Sequence, residues 1–254
     1  TPLRPEVRSA MAPYEDEAFA NPSSLHRDGQ RAKRALDGAR AAMADALGAA
    51  PAEILFTGGG TEGDNQALVG AVRAARGRGR HLITTAIEHH AVLNTCRWLE
   101  TQGYAVTYLP VDAGGVVDLD ALARSLREDT VLVSVMLANN EVGTVEPLAE
   151  VARLAHARGA LVHTDAVQAV GKLPVRVDEL GVDLLTLTAH KFGGPKGVGA
   201  LYVRRGTPLE PLLYGGHQEG GLRAGTQNVP GIVGLAEALR LAVAELPQET
   251  ARLA

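Results

Sequence analysis

Short apolar runs alternate with amphipathic segments along most of the chain. Residues 31–48 place alanine, leucine and methionine side chains on one face of a helix, with the period of an α-helix. The other apolar runs are short and end in glycine or polar residues, as buried strands do. They predict strands over residues 53–57, 81–86, 104–111, 131–138, 160–166, 183–189 and 198–205.

Helices are predicted between most of these strands. They cover residues 61–75, 91–103, 118–126 and 147–159, and a last helix covers residues 233–254. Because continuously apolar strands are linked by helices, the pattern favours an α/β fold, with a mostly parallel seven-stranded sheet and helices on both faces. The final strand follows its predecessor at short range, so we expect it to run antiparallel to its neighbour.

The composition is that of a soluble globular protein. Of the 254 residues, 46% are hydrophobic and 21% are charged, and the net charge of −4 gives no reason to expect a nucleic-acid partner. The sequence has no apolar run of about 18 residues, so no membrane span is predicted. The single cysteine, Cys96, excludes an intrachain disulfide framework. With no signal-peptide pattern at the N-terminus, these features predict a cytoplasmic location.

Polar residues follow five of the predicted strands at the point where each strand ends. In open α/β sheets, ligands bind beyond the carboxyl ends of the strands, so we expect these residues to meet in one crevice. They are Thr61, His89, Asn140, Asp165, Gln168, His190 and Lys191. Each has an ordinary explanation when taken alone, such as a surface lysine in a turn or a histidine that caps a helix.

Taken together, these residues match the requirements of pyridoxal phosphate. This cofactor needs a lysine for a Schiff base, and a carboxylate that keeps its ring nitrogen protonated so that the ring accepts electrons. Lys191 and Asp165 would supply these groups. Gly60 and Thr61 open a helix whose N–H groups suit a phosphate, and His89 would stack on the ring. No metal is expected in this site.

The same segments resemble a known family. They are similar, in order and in spacing over nearly the whole chain, to motifs of the cysteine desulfurases, which are class-V pyridoxal-phosphate enzymes of fold type I. The segments are FTGGGTEGDN, EHHAVLNTC, ANNEVGTVEP, HTDAVQAVGKLP, TAHKFGGPKGVGALYVRR and GGHQEGGLRAGTQNV. The similarity is to the branch that supplies sulfur for iron–sulfur cluster assembly and tRNA thiolation.

The resemblance implies an activity and partners. L-cysteine would be converted to L-alanine, and its sulfur would be left as a persulfide on an enzyme cysteine. The enzyme would be a homodimer, and a protein that accepts sulfur or acts as a scaffold would be a further partner.

The resemblance also implies roles around the cofactor ring. Lys191 would hold the cofactor covalently, and Asp165 would pair with the ring nitrogen. Gln168 would bond the phenolic oxygen, and His89 would stack on the ring and take part in proton transfer. Asn140 would lie near that oxygen and the substrate carboxylate.

A second group of residues is implied for the cofactor's phosphate. Within one chain these residues are Gly60, Thr61, Thr188 and His190. Thr226 would reach the phosphate in the neighbouring subunit, because members of the family are dimers with composite sites.

The resemblance is to the large, cofactor-binding domain of these enzymes. Residues 1–50 are expected to form an N-terminal arm and a helix that packs on the large domain, which covers residues 51–254. We expect the small C-terminal domain and the mobile loop with the nucleophilic cysteine to be absent from this chain. Cys96 is expected to be a small buried residue of a helix, and not a substitute for that nucleophile.

Other interpretations stay open. The chain could belong to another class-V enzyme, such as a selenocysteine lyase or a small-molecule aminotransferase. It could also be a non-catalytic scaffold that binds the cofactor and takes part in sulfur transfer. A dinucleotide-binding domain is disfavoured, because GGGTEG lacks the glycine spacing and the following acidic residue of that motif.

Overall fold

All seven predicted strands form, and they make one sheet. The computed structural model describes residues 1–253. The strands are β1 (Ile54–Thr57), β2 (His81–Thr85), β3 (Ala105–Leu109), β4 (Thr130–Ser134), β5 (Leu161–Asp165), β6 (Leu184–Thr188) and β7 (Gly199–Val203). Their order across the sheet is β1-β7-β6-β5-β4-β2-β3.

Six of the seven strands run in the same direction. Neighbouring strands from β3 to β6 pair in parallel, whereas β7 pairs antiparallel with both β6 and β1. The predicted antiparallel final strand is therefore confirmed. Since β1 is antiparallel to β7, it points the same way as β6, and the carboxyl ends of six strands lie along one edge of the sheet.

The helices differ from the prediction in two short helices and at the C-terminal end. Their bounds are α1 (Pro5–Met11), α2 (Arg27–Leu47), α3 (Gly60–Ala74), α4 (His90–Thr101), α5 (Leu119–Ser125), α6 (Leu148–His156), α7 (Val177–Leu180), α8 (Val229–Ala244) and α9 (Leu246–Leu253). The pattern missed α1 and α7, which have seven and four residues and are too short for a clear period.

The single last helix that the sequence predicted is wrong. It is divided at Glu245 into α8 and α9. Pro247 stands in the first turn of α9 and has no backbone N–H, so it cannot continue the hydrogen-bond ladder of α8. The structure describes this region up to residue 253, and residue 254 of the predicted helix lies outside the described residues.

Two apolar cores cover the two faces of the sheet. One contains buried residues of α2, α6 and α8, including Met43 and Leu239. The other contains buried residues of α3 and α4, including Leu68 and Cys96. Helices on both faces were predicted and are confirmed. Among the described residues, no helix combines the length and apolar character needed to cross a membrane.

Candidate active site

The carboxyl edge of the sheet opens into a cavity of about 400 Å³. All the predicted site residues except Thr226 line it. The lining residues are Gly60, Thr61, Asp64, His89, Met136, Asn140, Asp165, Val167, Gln168, Thr188, His190 and Lys191. The parallel strands deliver these residues to one place, as the rule for open α/β sheets requires.

Strands β5 and β6 end at the floor of this cavity. Asp165, the last residue of β5, is 4% exposed, and its Oδ1 accepts a hydrogen bond from the Val167 N–H at 2.8 Å. Burial raises the pKa of Asp165, and the neighbouring Lys191 and His89 oppose that shift. With Oδ1 held by the backbone, the other carboxylate oxygen is left for a ligand that carries a positive charge.

Lys191 follows β6 in a short 3₁₀ turn, Ala189–Lys191. In the same segment, Thr188 Oγ1 lies 3.2 Å from His190 Nδ1 and donates to the Val198 carbonyl at 3.3 Å. Burial and the adjacent Lys191 ammonium lower the pKa of His190. The lysine that the sequence places at the end of a strand therefore faces the same cavity as Asp165.

The connection from β1 to α3 forms a cradle without side chains. Gly59 has a φ of +146°, which only glycine adopts easily. A Cβ on Gly60 would lie 2.9 Å from Val167 Cγ2, so a larger residue would crowd the cavity wall. The first N–H groups of α3 have no partner within the helix and carry its positive dipole end, which suits a phosphate.

His89 caps α4 at the mouth of the cavity. Its Nδ1 accepts a hydrogen bond from the Ala91 N–H at 3.1 Å, so the neutral ring carries its proton on Nε2. The preceding Glu88 is buried, and its Oε1 accepts from Thr85 Oγ1 at 2.7 Å and from the Met136 N–H at 2.9 Å. Burial raises the pKa of Glu88 to about 8. Glu88 thereby anchors the backbone next to His89.

Asp64 is the polar residue of this site that sequence reasoning missed. It is 1% exposed and lines the cavity, its Oδ1 has no hydrogen-bond partner among the described residues, and Oδ1 lies 3.6 Å from His163 Nε2. Side-chain atoms of Asp64, His89 and Asp165 all approach within 4.8 Å of one another. A signal was available, because Asp64 stands four residues after Gly60 and thus on the same helical face.

Known proteins are similar to this chain in sequence and in fold. The family described as aminotransferase class-V matches residues 1–252. The chain belongs to the aminotransferase class-V family. Over 253 residues it is 53% identical to a protein of Dictyoglomus turgidum named cysteine desulfurase IscS, an alignment that covers 100% of this chain and 64% of that relative.

Solved structures superimpose closely on the chain. A structure described as a NifS-like protein has a TM-score of 0.96 and 47% sequence identity, and the alignment covers 98% of this chain and 68% of that one. A second, described as SspA in complex with cysteine, has a TM-score of 0.91 and 44% identity, covering 94% and 70%. The chain spans about 64% of the length of the curated class-V relatives that it matches.

Enzymes of the aminotransferase class-V family use pyridoxal phosphate. The cavity of this chain fits that cofactor. A primary amine, Lys191, and a buried carboxylate, Asp165, line the same cavity. A glycine turn at a helix N-terminus stands beside them, and the unpartnered Oδ1 of Asp64 shows that the site holds polar groups not satisfied by the protein alone. When bound, the cofactor supplies an electron sink for charge that develops on an amino-acid substrate.

Thr226 does not line the cavity of the chain to which it belongs. It is exposed, in a glycine-rich segment that follows the 3₁₀ turn Gln218–Gly221. Its predicted contact with a neighbouring subunit stays a prediction.

Replacement of Asp64 by asparagine should stabilise the class-V chain at neutral pH. Burial, and then the charge of Asp165, raise the pKa of Asp64 well above its ordinary value of 3.8. At neutral pH the folded chain therefore keeps a proton on Asp64 that the unfolded chain releases. The contribution of Asp64 to the free energy of unfolding is fully present below about pH 4, and it is lost as the pH rises through the pKa of the folded state. Asp64→Asn removes that dependence.

We expect a melting temperature about 2 to 4 °C higher for Asp64→Asn at pH 8, as about 1 kcal/mol produces in a domain of this size. The difference should shrink at pH 4. Thermal unfolding of the cofactor-free protein at both pH values measures it, with the exposed Asp37→Asn as the control. A loss of stability for Asp64→Asn that is the same at both pH values would contradict the argument.

The sulfur atom of Cys96 is unsuited to nucleophilic chemistry in the class-V chain. Cys96 lies in α4, is fully buried, and packs in the core that α3 and α4 share. Burial raises the pKa of its thiol to about 12, so almost none of it is thiolate at neutral pH. The predicted structural role of Cys96 is confirmed.

Cys96→Ala should therefore leave cofactor binding unchanged and lower the free energy of unfolding by about 1 kcal/mol, as loss of a small buried group does. The thiol of the native protein should react with an aromatic disulfide reagent far more slowly than the thiol of the unfolded chain. Labelling of Cys96 at equal rates in both states would show that the residue is accessible.

Proposed function

We propose that this chain forms the cofactor-binding part of a cysteine desulfurase. The observation that carries the proposal is that the residues implied for the cofactor, apart from Thr226, line one cavity in a chain 53% identical to a named desulfurase. The substrate would be L-cysteine, which a structurally similar protein is described as binding. The sulfur would serve iron–sulfur cluster or tRNA thiolation chemistry.

The residues at the base of the cavity would fix the cofactor and its charge. Lys191 would hold it covalently, through the amine at the end of β6. Asp165 would hold a proton on the ring nitrogen, because a buried carboxylate with one oxygen already bonded favours a cation at the other. A positive charge at that point would in turn keep Asp165 ionised despite its burial.

The residues at the mouth of the cavity would handle the substrate. His89 Nε2 makes no hydrogen bond within the part of the chain that the structure describes, and the ring lines the cavity, where it would cover the cofactor ring and move a proton. Asn140 is exposed and would bind the substrate carboxylate. Gly60, Thr61, Thr188 and His190 would bind the phosphate. His89 and Asn140 would thus orient the reacting amino acid.

The reaction class is tested by product analysis on the complete protein. L-cysteine, L-selenocysteine and an amino acid with a keto-acid acceptor are supplied in turn. L-alanine and protein-bound persulfide from L-cysteine are expected. Alanine from selenocysteine alone would indicate a selenocysteine lyase, and amino transfer to the keto acid would indicate an aminotransferase. Cofactor binding without any product would indicate a scaffold.

Two chains would be needed for one complete phosphate site. We propose a cytoplasmic homodimer in which the exposed Thr226 of one chain reaches the phosphate bound by the other. Thr226→Ala chains should hold the cofactor about tenfold more weakly, as loss of a hydrogen bond to a charged group predicts. Mixed dimers with Lys191→Ala chains should contain one intact site, because the two changes then fall in the other site.

The measurement is the amount of cofactor retained after gel filtration. Mixed dimers should retain more than Thr226→Ala homodimers, and Thr101→Ala, a change to an exposed threonine of α4, should behave as the unaltered chain. Equal retention by mixed and single-variant dimers, or a strictly monomeric protein in sedimentation, would refute the shared site.

A further inference from the structure

Gln168 reaches the cavity from the segment that follows β5, and one side of its amide is already engaged. Its Oε1 accepts a hydrogen bond from Lys172 Nζ at 2.6 Å. Among the described residues, its Nε2 makes no hydrogen bond. The amide thus has its acceptor bound and its two N–H donors free beside the cavity.

Lys172 is held in place to make this contact. Its backbone follows Gly171, which has a φ of +80°, and its carbonyl accepts a hydrogen bond from Thr250 Oγ1 at 3.0 Å. The side chain lines a second cavity of about 350 Å³, which Lys191 also borders. Lys172 therefore borders the second cavity and contacts Gln168, four residues earlier in the chain, which lines the cofactor cavity.

The charged residues around Lys172 influence the protonation of its side chain. Lys191 and Glu249 are the charged residues that act on it, and Arg4, Glu245 and Arg252 also line the second cavity. Burial and the Lys191 charge lower the pKa of Lys172, and Glu249 opposes that change. An ammonium group at this point has donors only, and it has no lone pair that could accept from an amide N–H.

That chemistry fixes the orientation of the Gln168 amide. If the amide turned over, its N–H groups would meet the ammonium, and two sets of donors would face each other. The oxygen must therefore point to Lys172, and Nε2 must point away from it. A charge-assisted bond of this kind also draws electron density toward Oε1, which makes the Nε2 hydrogens stronger donors.

We propose that Lys172 is a positioning residue that fixes the Gln168 amide with its N–H groups toward the phenolic oxygen of the cofactor. The inference rests on the proposed function and on the family resemblance, which implies that Gln168 bonds that oxygen. Lys172 would not touch the cofactor itself. It would act through Gln168, by keeping a donor and not an acceptor against an oxygen that carries negative charge.

The visible absorbance of the bound cofactor reports this contact. The absorbance changes as the pH is raised, because the bound cofactor releases a proton that lies next to its phenolic oxygen. A hydrogen bond donated to that oxygen makes the proton easier to lose, so it lowers the pH midpoint of the change. In the complete protein loaded with pyridoxal phosphate, Lys172→Met should raise the midpoint by about 0.5 to 1 pH unit, the size expected for one hydrogen bond.

A double-mutant cycle separates action through Gln168 from a direct effect of the charge. Gln168→Ala should raise the midpoint by at least as much as Lys172→Met, and the double variant should match Gln168→Ala alone. Lys172→Arg keeps a hydrogen-bond donor and should retain the original midpoint. This variant can be measured even if Lys172→Met does not fold. Lys33→Met breaks a comparable contact four residues apart, with Asp37 on α2, and should change nothing.

Two results would overturn the proposal. An unchanged midpoint in Lys172→Met, even with a lower melting temperature, would leave Lys172 a purely structural role. A shift that persists in the Gln168→Ala background would show that the charge acts on the cofactor directly. If the proposed function itself is wrong, the result differs from both of these. The unaltered protein would then bind no cofactor at Lys191, and there would be no pH midpoint to measure.

Discussion

Lys191→Ala should abolish covalent attachment of pyridoxal phosphate. Lys191 is the lysine in the lining of the cofactor cavity, beside the carboxylate that would pair with the ring nitrogen. Covalent attachment needs a primary amine that can reach the carbonyl carbon of the cofactor, and Lys191 supplies that amine. Borohydride reduction of the loaded protein, followed by peptide mapping, should place the label on Lys191, and the variant should carry none.

A matched control for this experiment lies five residues away. Lys196 is exposed on the loop between Lys191 and β7, and Lys196→Ala should be labelled as fully as the unaltered protein. Circular dichroism shows whether each variant is folded. A label on another lysine, or no label on folded protein with excess cofactor, would defeat the assignment of Lys191.

Asp165→Ala should separate cofactor attachment from cofactor activation. Lys191 would still form its covalent bond, because the amine does not depend on the carboxylate. The ring nitrogen would lose its partner and its proton, and the ring would accept electrons poorly. In the complete protein we expect L-alanine formation to fall by about a hundredfold or more, the size of effect that loss of a positioned proton-holding group has.

The absorbance change produced by added L-cysteine provides a second measurement, since it reports on the cofactor and not on the final product. Asp165→Ala should retain the borohydride label and lose most of that change. Asp129→Ala removes an exposed carboxylate that pairs with Arg127 on the surface and serves as the control. If Asp165→Ala responds to L-cysteine as the unaltered protein does, then Asp165 does not activate the ring.

Sequence patterns predicted the site because its residues are tied to strand ends. Asp165 is the last residue of β5, and Lys191 follows β6 by three positions. Parallel strands bring such positions to one edge whatever the details of packing, so the periodicity of the strands was enough to expect Asp165 and Lys191 in one crevice. The sequence also predicted Cys96 as a small buried residue of a helix, and the structure places it so.

The pattern failed where the outcome depends on local breaks or on several elements at once. The division between α8 and α9 at Glu245 was missed, because the apolar period runs through a proline. Asp64 was missed because a polar residue on a helix is normally taken to face solvent. Its burial follows from α3 packing against β5 and β6, where His163 and Asp165 stand.

The sequence by itself determined the α/β architecture, the direction of the strands and the set of residues at their ends, since these follow from short-range periodicity and from the geometry of parallel sheets. Only the tertiary structure decided which atoms meet. It turned the Gln168 amide toward Lys172, left Oδ1 of Asp64 without a hydrogen bond among the described residues, and buried Cys96 in the core that α3 and α4 share. Such contacts depend on side-chain rotamers and on packing between elements distant in sequence, and no local pattern encodes them.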